Sequence, residues 1–169
     1  MVFNLIACIN KNNALGKDGD LLYHIKDDLI NFKRVTKDNI VIMGRKTFDS
    51  LPNRPLKDRV NIIITRDIQY KQEGCYIVHS IKECYELCEE KFSNSLCFVI
   101  GGSEIYNEFI KNDLIDTAFL TEVEDESEGD TYLSDVFHDK EKWELINSSE
   151  EKIDNVSSLH YKFNVYELI

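Results

Sequence analysis

The sequence predicts an α/β fold: a mainly parallel central sheet flanked by helices, finished by an antiparallel C-terminal hairpin. Three observations predict it. Short β-branched runs alternate with helical patterns for most of the length, an order that sets strands side by side in parallel. Two of those strands run through glycine straight into a helix, at IVIMGRKTFDSL (40–51) and CFVIGGSEIYNEFI (97–110). The last third changes to strands separated by turn-rich or acidic loops, and its final segment, LHYKFNVYEL, alternates as an antiparallel strand does.

The elements follow in order. MVFNLIACIN supplies a strand over 2–9, with no basic leader or small-residue cleavage site, so it reads as structure and not as a signal peptide. Gly16 and Gly19, with Lys17, Asp18 and Asp20, make 11–22 a mobile loop. A helix follows over 25–35, then strands at 39–43, 60–65 and 75–78. SIKE at 80–83 has the form of a capping box. It opens a helix over 80–92 whose buried stripe is Ile81, Cys84, Tyr85, Leu87, Cys88 and Phe92. Next come a strand at 96–100, a helix at 103–111, and strands near 115–123, 132–134, 143–149 and 158–167. No repeat or linker interrupts the chain, and 169 residues suit one domain over 1–169.

Apolar residues at 43% and charged residues at 30% describe a soluble globular chain. Apolar runs stop at about five residues where a membrane span needs about 20, so no membrane association and a cytoplasmic location are expected. The net charge of −11 is uneven. Residues 26–71 carry +5 and hold all five arginines, while 72–169 carry −16. An acidic protein repels nucleic acid at long range, whereas a confined basic segment suits a small anionic ligand. A solvated mixed-charge surface accounts for the lysines but less easily for the clustered arginines. The five cysteines are an odd number without CxxC spacing. Cys84 and Cys88, one helical turn apart, could place two metal ligands, but no His or acid cluster completes a tetrahedral set. No metal is expected, and reduced, buried thiols are.

LLYHIKDDLINFK (21–33) sets two adjacent aspartates in an amphipathic helix. Asp27 falls with His24, Asn31 and Arg34 on a polar stripe; Asp28 falls with Ile25, Leu29 and Phe32 on the apolar one. Asp28 is either an acid favoured at a helix N-terminus by the dipole, or a pocket carboxylate able to pair with an amidine-like heterocycle edge. Thr121, in a predicted strand, could support such a carboxylate with its hydroxyl. At the first glycine turn, Gly44 ends the strand and Arg45, Lys46 and Thr47 open the helix, which makes an anion site. At the second, Gly101 and Gly102 let backbone bend sharply or approach a ligand. Each is also compatible with an ordinary strand-to-helix turn. There is neither a Walker loop nor a G-x-G-x-x-G fingerprint. Arg45 and Lys46, with Thr65 and Arg66 at a third strand end, could surround a phosphate monoester.

Together these segments resemble the dihydrofolate reductase family. The resemblance is carried by LIACINKNNALGKDGDLLYHIKDDLINFK, VIMGRKTFDSLPNRPLKDRVNIIITR, FVIGGSEIY and EGDTYL, in order, across residues 3–134. It implies a single-domain dihydrofolate-reductase-like fold that transfers hydride from NADPH to 7,8-dihydrofolate, acts as a monomer and takes antifolates. Asp28 matches the pocket carboxylate that binds the pterin N3 and 2-amino group and promotes N5 protonation through solvent, with Thr121 supporting it. Ile6, Leu29, Phe32 and Leu51 match the apolar walls, Leu56 the benzoyl contact, and Arg59 the arginine for the α-carboxylate. Ala7, Leu21 and Ile100 would frame the nicotinamide. Gly44, Arg45, Lys46 and Thr47 match the cofactor segment, with Thr65 and Arg66 beside the 2′-phosphate. Gly101 and Gly102 match a cis Gly–Gly bend, followed by Ser103, Glu104, Ile105 and Tyr106. Two departures stand out. Leu22-Tyr23 replaces the usual Pro-Trp pair, leaving Tyr23 in a catalytic position without the indole donor. Glu104 stands where many bacterial members have arginine. Two rival readings are a same-fold reductase of another pteridine or riboflavin precursor, and a binding module without turnover. The Asp28 and Arg59 pair opposes the first, and a bound but unconsumed cofactor would reveal the second.

Overall fold

The computed structural model describes residues 1–169. Strand β1 (Phe3–Asn10) sends Phe3, Leu5, Ala7 and Ile9 into the main core and turns Ile6 and Cys8 to the other face. There follow β2 (Ala14–Lys17), β3 (Asp20–Leu21), α1 (Lys26–Thr36), β4 (Ile40–Gly44), α2 (Arg45–Ser50), β5 (Val60–Ile64), β6 (Cys75–Val78) and α3 (Ile81–Lys91). Then come β7 (Cys97–Gly101), α4 (Ser103–Lys111), β8 (Ile115–Val123), β9 (Thr131–Tyr132), β10 (Trp143–Ser148), β11 (Lys152–Ile153) and β12 (His160–Leu168), with one 3-10 turn at Asp135–His138. No helix is long and apolar enough to cross a membrane.

The main sheet runs β10-β12-β8-β1-β7-β4-β5-β6, with β11 added to β12. Neighbours from β8 through β6 are parallel, while β12 pairs antiparallel with β8, β10 and β11. This is the mainly parallel sheet with an antiparallel finish that the pattern predicts. Its central strands read as continuous apolar runs because both faces are covered: Ile40 and Ile42 of β4 join a core with Cys84, Cys88 and Phe109, while Val41 and Met43 join Phe48 of α2. Register aligns the strand ends, with Met43 beside Gly101, Gly44 beside Ile64 and Cys8 beside Thr121. In open α/β sheets ligands sit at that carboxyl edge.

Two local expectations change. Residues 11–22, read as a mobile loop, contain β2 and β3, which form a separate sheet with β9. The partner is far along the chain, so no short-range pattern announces it. Glycine permits the hairpin: a Cβ on Gly16 would stand 2.5 Å from the Asp20 carbonyl oxygen. At α3, Ser80 Oγ accepts the Glu83 N–H at 3.0 Å, but the Glu83 carboxylate accepts from His79 N–H at 2.7 Å and not from Ser80. All five cysteines are free; Cys84, Cys88 and Cys97 are buried, and Cys8 and Cys75 only partly so.

Glu122 follows Thr121 and so faces the other side of the sheet. It accepts from the Tyr166 hydroxyl, Asn164 Nδ2 and His138 Nε2, each at 2.5 Å, and His138 Nδ1 lies 2.7 Å from Asp135. The Glu122 bond, opposed by burial and assisted by Asp135, raises the His138 pKa from 6.5 to about 9. A raised folded-state pKa stabilises fully below the unfolded value and loses that contribution as pH climbs through the folded one. Between about pH 6.5 and 9.5 the melting temperature of the wild type should therefore fall further than that of His138→Gln. Parallel curves would remove His138 from the account.

Candidate active site

Helix α1 starts after Ile25, which is buried and extended, and its first turn holds Asp27 and Asp28. Asp27 is half-buried and accepts the Tyr161 hydroxyl at 2.9 Å, so it is not the water-facing charge its stripe suggested; Tyr161 reaches it from β12. Asp28 accepts the Thr121 hydroxyl at 2.5 Å. Burial lifts the Asp28 pKa above its ordinary value, hydrogen bonds from Thr121 and Cys8 pull it back, and the Asp27 charge adds to the rise. The Cys8 thiol is itself pushed well up by burial and by Asp28. Sequence reasoning missed Cys8, although it lies two residues from Ile6 on the same face of β1.

Along α1 the apolar stripe stays open: Leu29 is 54% exposed and Phe32 half-buried. Near the far end of the helix, Arg59 Nη1 donates to Thr36 Oγ1 at 3.2 Å, and the guanidinium lies 5.9 Å from the centre of the Phe32 ring. Asp28 and Thr36 are eight residues apart, a rise of about 12 Å in a helix. An acid, an open apolar strip and a guanidinium thus stand in line. Leu51 and Leu56, both half-buried, pack against Val41, Met43, Phe48 and Ile63. Ala7 faces the main core, opposite to Ile6, so what it can offer a ligand at this edge is backbone.

The second part of the site gathers where β4, β5 and β7 end. Gly44 leads into Arg45, Lys46 and Thr47 of α2, which is six residues long, so its dipole is short and the cations supply most of any attraction for an anion. Arg45 lies 3.3 Å from Asp67 and 3.8 Å from Asp49, with its guanidinium 4.4 Å from the Tyr70 ring centre. Thr65 follows β5, and Arg66 next to it donates to Glu104 at 2.8 Å. The Gly101–Gly102 peptide is cis, and Gly101 has φ +131°, where a side chain is strained. A Cβ on Gly102 would lie 3.3 Å from Thr47 Oγ1, so the bend and the start of α2 form one cradle. Ser103 is half-buried beside it, and Glu104 is exposed. Ile105 packs beneath Gly44, 3.1 Å from where a Cβ would stand. The buried Tyr106 hydroxyl lies 2.7 Å from the carbonyl oxygens of both Ile6 and Ile100, tying the middle of β1 to the end of β7.

Leu21 is 52% exposed on β3. Tyr23 does not extend its hydroxyl toward Asp28: it donates in a short bond to Asp125 and accepts from Asn10 Nδ2 at 3.1 Å. Burial, with Asp125, raises its pKa to about 12. Asn10 is buried and also donates to the Ser127 carbonyl at 2.8 Å, while its Oδ1 accepts from the N–H groups of Asn12 and Ala14. Tyr23 therefore fastens the segment after β8 to the last residue of β1. Neither Asn10 nor Asp125 has a local motif that marks it.

Over residues 2–168 the chain matches a family model described as "Dihydrofolate reductase". It is 34% identical over 166 residues to the dihydrofolate reductase of Bacillus subtilis (strain 168), covering 98% of this chain and 94% of that protein. It is 32% identical over 181 residues to that of Sus scrofa, covering 97% and 96%. Among solved structures, a dihydrofolate reductase from Enterococcus faecalis complexed with NADP(H) and RAB-propyl is similar, with a TM-score of 0.85 and 26% identity over 99% of this chain and 96% of that one.

Proposed function

The chain belongs to the dihydrofolate reductase family, and on that premise we propose how its residues carry out the family's reaction. It is an NADPH-dependent oxidoreductase that acts on CH–NH bonds, reducing 7,8-dihydrofolate to 5,6,7,8-tetrahydrofolate. The observation that carries the reading is the line along α1: Asp28 at one end, open Leu29 and Phe32 between, and Arg59 at Thr36. That spacing suits a flat heterocycle with an amidine-like edge and a distant carboxylate, and it disfavours a tail-less pteridine.

Asp28 holds the pterin edge through two parallel hydrogen bonds, Thr121 fixes the carboxyl orientation, and the carboxyl, its pKa raised by burial, promotes protonation of N5 through solvent. Ile6, Leu29 and Phe32 flank the ring, Leu51 and Leu56 the benzoyl group, and Arg59 binds the α-carboxylate. Bound NADPH supplies the hydride. Its phosphates fit the cations Arg45, Lys46 and Arg66 with Thr47 and Thr65, and the Gly101–Gly102 bend leaves room that a Cβ would fill. Ala7, Leu21 and Ile100 border the nicotinamide, so that donor and acceptor carbons are held together and water is kept out. On the family reading the chain is a cytoplasmic monomer, one domain over 1–169, that binds dihydrofolate and antifolates, and its strongly acidic charge opposes binding to nucleic acid.

The test is NADPH oxidation by the purified protein with and without dihydrofolate, repeated with NADH. Loss of NADPH that depends on dihydrofolate, with NADH much slower, is the expected result. Saturable binding of both ligands without consumption would reduce the protein to a binding module.

A further inference from the structure

Arg66, read above as a ligand of the cofactor phosphate, already has a partner. Its Nη2 donates to Glu104 Oε1 at 2.8 Å. Arg66 follows β5 and Glu104 lies in the first turn of α4, which follows β7; in the sheet, β4 runs between those two strands. Two strand spacings separate them, roughly 10 Å. The ion pair therefore passes over the strand end that delivers Gly44, Arg45 and Lys46. Both side chains are largely in water, at 91% and 68% exposure, so the pair is weak and a stronger anion can displace it. Arg45 is similarly engaged by Asp67 and Asp49, while Lys46 has no carboxylate within ion-pair distance.

We propose that Glu104 competes with the cofactor's 2′-phosphate for Arg66 and is not a ligand of the cofactor. Its carboxylate holds Arg66 across the groove, and a 2′-phosphate must displace it to reach the guanidinium. The inference rests on the reading that Arg66 takes that phosphate. The effect is selective, because a nearby carboxylate repels a phosphate-bearing cofactor far more than NADH, which carries a hydroxyl at that position. Glu104 thereby narrows the margin by which NADPH is preferred.

The experiment is equilibrium binding of NADPH, NADH, 2′,5′-ADP and 5′-AMP to the wild type, Glu104→Gln and Arg66→Ala. Glu104→Gln should bind NADPH and 2′,5′-ADP about three- to tenfold more tightly, NADH and 5′-AMP should shift less than about twofold, and the gain should shrink with added salt. Unchanged or weaker 2′,5′-ADP binding in Glu104→Gln, with Arg66→Ala still impaired, overturns the competitor role alone. If Arg66→Ala leaves the ratio of 2′,5′-ADP to 5′-AMP affinity untouched, the phosphate site itself is misplaced and both readings fall.

Discussion

Asp28→Asn should leave the fold intact and slow turnover at neutral pH by about 10²–10⁴, the scale of a positioned acid–base group. Asparagine keeps an oxygen where Asp28 Oδ1 accepts the Thr121 hydroxyl, so the anchoring of α1 to β8 survives. What disappears is the ionisable oxygen, and an amide N–H in its place would face the donor edge of the pterin. Thermal melts separate chemistry from stability. Burial raises the Asp28 pKa, so ionising the carboxyl costs the folded state some stability, a cost the amide does not carry. The variant should thus melt no lower than the wild type while losing activity. Its rate should also lose the pH limb that Asp28 contributes. Turnover at the wild-type rate would take Asp28 out of the mechanism.

For Arg59→Ala the expected signature is different: KM for dihydrofolate rises about 10- to 100-fold, as loss of a charge-assisted bond predicts, while kcat moves only a few-fold. Arg59 sits near Thr36, about 12 Å along α1 from Asp28, so a tail carboxylate bound there would be held alike in ground and transition states. Thr36 Oγ1 also donates to the Phe32 carbonyl at 2.8 Å, which leaves the helix end satisfied when the guanidinium is removed. A substrate lacking the tail carboxylate completes the comparison, since wild type and variant should handle it equally. An unchanged KM would mean that the tail is held elsewhere.

The large sheet was legible because its strands are short, continuous apolar runs whose ends coincide with glycine, at Gly44 and at Gly101–Gly102. Helical periodicity separated Asp28 from Asp27, but the identity of the supporting strand came through family resemblance, since Thr121 is 93 residues away. The unread features share a cause. Asp27 with Tyr161, Tyr23 with Asp125, Cys8 beside Asp28, and the sheet of β2, β3 and β9 all join segments that no local period relates. Arg66 and Glu104 were each noticed as residues of the cofactor region, yet the bond between them depends on β4 lying between β5 and β7, which is a fact of topology.

That topology also orders the events of synthesis. The earliest strand of the large sheet, β1, lies between β7 and β8, with Leu5 beside Val99 and Cys8 beside Thr121. A growing chain therefore carries β1 with both edges unpaired while β4, β5 and β6 can already join one another. Closing such long loops precedes any gain from the contacts that reward it. Asp28 must wait for Thr121, and Asp27 for Tyr161, 134 residues downstream. The acid is thus joined to its support late, only once β8 has brought Thr121 to Asp28, and the closing strand β12 adds its bond to Asp27 after that.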